Sequence, residues 1–214
     1  NKGSRFYMEN SELSHAGVWG PMYSGGLWIN TDDVIILNCT IHSNYDYGIH
    51  VYNASYVEII NCKIYGNNIG IYLLNSSFVT ISKCNIYNNS IGIYEKGSYY
   101  STIKYSHVSD NSYWGITVWD SIFPLISDSV IHDNIYDGVI IWYSFFAKIY
   151  NCKAYNNENG FNTRYTPLVT VSSSEAYNNE EAGLFLFHVE LLYGHPLAIL
   201  DSLGTIVANS FYNN

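Results

Sequence analysis

The sequence predicts an all-β chain wound as a parallel β-helix, and three observations carry that prediction. The first is a repeat: GIHVYNASYVEIINCKIYGNNI begins at Gly48 and GIYLLNSSFVTISKCNIYNNSI at Gly70, so near-identical phrases start 22 residues apart. A fixed period in this range marks a solenoid whose units bury their apolar side only by stacking. The second is alternation within the unit: Val57 and Ile59, Cys62 and Ile64, Ile71 and Leu73 should point inward, with Glu58, Lys63, Tyr65 and Tyr72 outward. That is the period of short strands, three to a unit. The third is a pair of columns. Asn recurs at 44, 67, 89, 111, 134, 157 and 179, and Gly at 48, 70, 92, 115, 138, 160 and 183.

The Asn column is expected to form an asparagine ladder at a bend, each side-chain amide bonding to the next coil and to bend backbone groups. The Gly column is expected to supply backbone angles that other residues resist. On this register, residues 1–26 form an irregular first coil and loop containing Trp19 and Tyr23, with NSEL at 10–13 matching NCTI at 38–41. Regular coils then run over 27–188, about eight in all and 22–23 residues each, forming three short parallel sheets. An insertion over 189–204 (VELLYGHPLAILDSLG) follows, and 205–214 resume the pattern as a last partial coil. The insertion is too apolar to be left in water and is expected to cover the helix side or a partner. With no polar cap at either end, one domain cut from a longer chain is expected, with missing flanking domains or neighbouring subunits as partners.

Composition narrows the function. Charged residues are 13% of the 214, and the net charge of −9 reflects few Lys and Arg. Nucleic acid is excluded as a partner because phosphate binding needs clustered basic side chains. No apolar run reaches the roughly 18 residues of a transmembrane helix. Cys39, Cys62 and Cys84 share one inward column on successive coils, with Cys152 further along it. Parallel side chains favour free buried thiols over disulfides there, and no paired C-x-x-C suggests zinc. Asn-x-Ser/Thr sequons at Asn38, Asn53, Asn75 and Asn88 occur at the frequency chance allows.

The reiterated phrase N-C/N-x-I-x-x-N-x-x-G-I resembles the right-handed parallel β-helix repeat proteins: the pectin-lyase-like superfamily, with its carbohydrate-binding, sugar-hydrolase-type and NosD-like repeats. The resemblance covers about residues 27–214 and is specific for fold. It implies a place outside the cell, at its surface or in the periplasm, and a polysaccharide or glycan as partner. The same coil carries lyases, hydrolases and inert stalks, so function rests on the outward residues.

Two outward series stand out. One column reads His42, Tyr65, Tyr87, Ser109, His132, Tyr155, Tyr177 and Tyr212; another reads Tyr52, Leu74, Lys96, Trp119, Trp142, Arg164 and Phe187. Tyr65, Tyr87, Trp119, Trp142, Tyr155 and Tyr177 are candidate carbohydrate-binding residues, since sugar C–H faces stack on aromatic rings. Tyrosine is also good strand material, and cross-strand stacking alone accounts for such a stripe. For chemistry, Asp110 and Asp133 fall on adjacent coils, roughly 5 Å apart, with His132 and Asp137 close in sequence. With His132 they are the candidate catalytic set of a polysaccharide hydrolase or lyase. With Asp137 they are a candidate Ca²⁺ site. Both Asp also suit a wet bend. Neither Arg5 nor Arg164 falls beside them, which weakens the match to a lyase. A second acidic and imidazole group, Asp32, Asp33, His42, Asp46 and His50, faces several directions. Glu95 and Lys96, with Thr163 and Arg164 three coils on, interrupt the apolar inner column and imply local polar pairing or a bend at that corner. The reading that follows is a structural or carbohydrate-binding module, with a polysaccharide-active enzyme as the alternative.

Overall fold

The structure is a computed structural model and describes residues 6–17, 25–187, 205–207 and 210–213. Trp19, Tyr23 and the 189–204 insertion lie outside the described residues. Each repeat unit folds into three strands, as in Glu58–Ile60, Lys63–Tyr65 and Ile69–Leu74. Equivalent strands pair in parallel with the coils before and after, giving sheets A, B and C of nine, nine and eight strands among the described residues. The expected all-β parallel helix of about eight coils is therefore present.

Inward alternation builds the core. Ile36, Ile59, Ile81, Ile103, Ile126, Ile149 and Val171 lie in register along sheet A. Ile41, Ile64, Ile86, Val108, Ile131, Ala154 and Ala176 do the same along sheet B. All are buried, in one cluster running the length of the coil. β-Branched side chains stacked on their own kind fill such a column without gaps, because each coil presents the same shape to the next. The four cysteines are buried and unbonded, as the parallel column predicts.

The bend between sheets B and C is held by side-chain amides. Nδ2 of Asn44, Asn67, Asn111 and Asn134 donates to Oδ1 of the Asn one coil on at 2.8–3.0 Å, and the same oxygen accepts the backbone N–H of the previous Asn. These residues are buried, so the bonds satisfy groups that no water reaches.

The Gly column has a different cause from the one expected. Left-handed angles fall at Gly66 and Gly97 and at non-glycine residues, not at Gly48, Gly70, Gly92, Gly115, Gly138 or Gly160. What the column requires is space: a Cβ at Gly115 would stand 2.5 Å from the Gly138 carbonyl oxygen and 3.0 Å from Asn134 Nδ2. Gly115→Ala is expected to cost about 1–3 kcal/mol, the usual range for overpacking, read as a lower denaturation midpoint. An unchanged midpoint would mean the coils can separate there without penalty.

The left-handed positions recur instead at the corners, four to a coil. One such column is Tyr56, Phe78, Tyr100, Phe123 and Phe146, with φ of 53–59°. Their rings stack at 4.7–5.2 Å with interplanar angles of 3–15°. Bulky residues rarely adopt this angle; repetition along the corner lets each strained backbone be offset by stacking on the neighbouring rings of the column.

Candidate functional site

The outward face of sheet C concentrates the unusual chemistry. Its strands bring Trp119, Trp142 and Arg164 into one column, as the sequence series predicted. Two residues earlier on the same face, Thr117, Ile140, Asn162 and Phe185 are aligned. At the corner before the sheet, Gly92, Gly115 and Gly138 donate their N–H to the carbonyls of Trp114, Asp137 and Asn159, so those three residues also share a column. Upstream, that column is Tyr47, Ile69 and Ile91. A polar patch thus replaces an apolar one within two coils.

Asp137 is only 4% exposed, and its Oδ1 accepts hydrogen bonds from Nδ2 of Asn159 at 2.9 Å and of Asn162 at 3.0 Å. Burial pushes its carboxyl above the usual range, against the two amides and the nearby Arg164 guanidinium, which act to lower it. Arg164 donates from Nε to Asn162 Oδ1 at 3.1 Å, and its guanidinium carbon sits 5.9 Å from the Trp142 ring centre and 5.2 Å from that of Phe185. Both distances are within cation–π range. The guanidinium is therefore oriented by one hydrogen bond and two rings.

The aromatic wall continues on both sides. Trp119 meets Trp142 edge to face at 4.9 Å, and Trp114 meets Trp142 at 6.1 Å. All three Trp are half-buried. Trp142 Nε1, Thr117 Oγ1 and Asn159 Oδ1 are buried without a partner. Buried polar groups are ordinarily bonded, so this patch is polar beyond what packing needs. Glu158 and Glu181 add negative charge at its edge and act on Asp137 and on each other.

The sequence-predicted residues are distributed as follows. Asp110 and Asp133 stand on adjacent coils at the exposed corner after sheet B, where the Asp110 N–H donates to the His132 carbonyl at 3.3 Å. The Ser109 hydroxyl donates to Asp110 Oδ2 at 2.6 Å. Asp133 is engaged through both oxygens, with His132 Nδ1 at 2.6 Å and Asn156 Nδ2 at 2.9 Å. Partial burial acts to raise its carboxyl, but these bonds outweigh it and hold the group below the usual range. Asp137, expected to complete a Ca²⁺ site with this pair, instead lies at the corner leading into sheet C. Four residues of chain carry it around the bend, where it is held by amides. Among the described residues, no three His, Cys, Asp or Glu side chains form a group able to hold a metal ion.

The Tyr stripe of sheet B is present, but its faces are used. Tyr65 stacks on His42 at 4.7 Å and on Tyr87 at 5.0 Å; Tyr155 stacks on His132 at 4.7 Å and on Tyr177 at 4.9 Å. Within these runs a ligand meets ring edges only. Of the second acidic group, His50 is enclosed by Trp28, Tyr47 and Tyr72, and burial pulls it down to about 4. It is a neutral packing residue at ordinary pH.

The right-handed β-helix region family matches over residues 1–123 and again over 92–214. No curated protein matches the sequence. Among solved structures, the periplasmic alginate epimerase AlgG is similar over 96% of this chain and 50% of its own, with TM-score 0.77 and 17% identity. Pectate lyase Pel9A is similar over 95% and 68%, with TM-score 0.69 and 12% identity. Tailspike protein 2 of bacteriophage CBA120, in its enzymatically active domain, is similar over 86% and 34%, with TM-score 0.70 and 14% identity. The chain spans about half the length of AlgG. No helix among the described residues is long and apolar enough to cross a membrane. Coil register, buried isoleucine columns and the family match along the whole sequence lead to one statement: this chain belongs to the right-handed β-helix family.

Proposed function

We propose that this protein is a glycan-binding β-helix module, acting outside the cell or at its surface, whose binding face is sheet C around Trp119, Trp142 and Arg164. The observation that carries the reading is the pairing of half-buried tryptophan rings with an oriented polar set, Arg164–Asn162–Asp137. Sugars present apolar C–H faces and hydroxyl edges together, and a wall of rings beside fixed donors and acceptors matches both. Three solved relatives of the fold, named as an alginate epimerase, a pectate lyase and a tailspike, support a carbohydrate setting. The share of those chains that this one spans also supports flanking domains or neighbouring subunits as partners.

Binding is favoured over catalysis at Asp110 and Asp133 because both are exposed and already bonded to Ser109, His132 and Asn156. Asp133, held below the usual carboxylate range, is not poised as a neutral acid. A glycan array followed by calorimetric titration tests the reading. Trp142→Ala and Arg164→Ala are each expected to weaken the best glycan by about tenfold or more, consistent with hot-spot losses of 1–2 kcal/mol or above. Undiminished affinity in both variants would remove sheet C as the site. Turnover in reducing-sugar or unsaturated-product assays that Asp133→Asn abolishes would replace the binding reading with an enzymatic one.

A further inference from the structure

The corner between sheets A and B opens into a groove of about 630 Å³. It crosses four successive coils and is lined by Asn38, Asn61, Lys63, Lys83, Asn85 and His107 among others, all six of them exposed. Apart from three buried cysteines the lining is polar, and no carboxylate belongs to it. The whole chain has 18 Asp and Glu against 9 Lys and Arg, so this groove reverses the charge of the protein locally. A cleft lined by one sign of charge concentrates ions of the other.

The cations are uncommitted. Lys63 and Lys83 lie on successive coils, and the carbonyl of Lys104, one coil further, accepts the Lys83 N–H at 3.1 Å. None of the three ammonium groups has an ion-pair or hydrogen-bond partner among the described residues. The acids at the two ends of the groove are engaged: Glu12 with His42 at 3.0 Å, and Asp128 with Asn151 at 2.8 Å. Asn61 Nδ2 donates to Asn38 Oδ1 at 2.7 Å. The remaining amide groups, Asn38 Nδ2 and Asn61 Oδ1, have no partner among the described residues.

The lining selects among anionic partners. Single-stranded nucleic acid needs rings on which its bases stack, and no Phe, Tyr or Trp lines the groove. A peptide adds to a free strand edge or seats side chains in apolar pockets. These strands are paired on both sides, and apolar side chains are lacking. A lipid surface likewise calls for apolar groups to insert. A linear glycan with negative substituents meets the whole lining. Its hydroxyls match the amides, and charges repeated along it match ammonium groups on coils about 4.8 Å apart. Lysine is a point charge without a planar fork, so sulfate and carboxylate are both accepted.

We propose that the groove at the corner of sheets A and B binds a polyanionic glycan. Lys63, Lys83 and Lys104 hold its sulfate or carboxylate groups, and Asn38, Asn61 and Asn85 its hydroxyls. This rests on the glycan-binding reading, but none of these residues belongs to sheet C.

Charge reversal tests it. Lys63→Glu, Lys83→Glu and a control, Lys148→Glu, change the net charge equally; Lys148 is exposed on sheet A, two strands beyond Lys104. A sulfated hexasaccharide, a hexameric oligouronide, a neutral hexasaccharide and a hexaglutamate peptide are titrated into each. Both charged glycans should bind the wild type, and the tighter one identifies the anionic substituent. Their affinities should fall by about tenfold or more in Lys63→Glu and Lys83→Glu, where like charges meet, and by less than about twofold in Lys148→Glu. Thermal midpoints should not change. Raising salt from about 0.01 to about 0.1 M, which shortens the screening length from about 30 to about 10 Å, should weaken both by about tenfold. The neutral sugar should respond to Trp142→Ala and not to the lysine variants. Equal losses in all three charge variants, or a peptide bound as tightly as the glycans, overturn the proposal. Neutral-sugar binding without charged-glycan binding overturns the groove and leaves sheet C standing. A wild type that binds no saccharide overturns both.

Discussion

Glu95→Leu is expected to make the protein more stable at pH 8 by roughly 3 kcal/mol and to remove a decline in stability between about pH 4.5 and 7. Glu95 lies in the inner column of sheet C between Leu73 and Val118 and is completely buried. Its Oε2 accepts a 2.6 Å bond from the Ser101 hydroxyl, and its Oε1 has no partner. Burial raises the carboxyl to about 7, with the Ser101 bond and the nearby Ser121 hydroxyl opposing. The folded chain therefore keeps the proton over a range in which the unfolded chain has lost it. Stability falls as pH rises from the unfolded value through the folded one, and the deficit persists above. Each tenfold difference in proton affinity between the two states is worth about 1.4 kcal/mol, and here the carboxyl moves from 4.5 to about 7. Leucine restores the apolar column, and Glu95→Gln should flatten the pH dependence while keeping the polar cost. Denaturant midpoints at pH 4.5, 6 and 8 read all three. Equal pH profiles for wild type and Glu95→Leu would mean that the carboxylate reaches water or a counter-charge.

Asn134→Ala is expected to cost about 3–5 kcal/mol, against about 1–2 kcal/mol for Asn156→Ala one coil on, where alanine meets only a left-handed backbone angle of 54°. Asn134 Oδ1 accepts both the backbone N–H of Asn111 at 3.2 Å and its Nδ2 at 2.8 Å. Its own Nδ2 donates to the His132 carbonyl at 3.1 Å and to Asn157 Oδ1 at 2.9 Å. Truncation strands buried donors and acceptors on two neighbouring coils, each costing about 1–3 kcal/mol. Asn156 is exposed, so water replaces its bond to Asp133. Asn134→Asp should not rescue, because a carboxylate cannot donate to Asn157 and brings a charge into a bend without a cation. Matching midpoints for the two alanine variants would show that the amide column is incidental to stability.

The helical architecture was legible because a solenoid writes its three-dimensional neighbours into the sequence at a fixed interval. Once Asn67 and Asn89 are aligned, Ile64 over Ile86 and Tyr65 over Tyr87 follow without any further information. The candidate site was only half legible. That Trp119, Trp142 and Arg164 share a column follows from the repeat alone. Asp137 was grouped with Asp133 because they are four residues apart. The bend between them turns that short distance into two different faces. The move from Tyr47, Ile69 and Ile91 to Trp114, Asp137 and Asn159 was a readable signal for the patch, visible once the residue before each Gly is treated as a column.

The Gly column and the stripe show the same division. Periodicity alone determined which positions repeat, which face inward and which residues touch across coils, because those follow from a 22–23-residue period and strand alternation. Why each position is constrained was decided by the assembled coils: Gly115 is small because the Gly138 carbonyl occupies the space of a Cβ. Likewise Tyr65 and Tyr155 give both faces to neighbouring rings, so only their edges stay exposed. Distances between atoms on successive coils set which surfaces remain open to a ligand. Those distances arise only when the backbone closes each turn over the last.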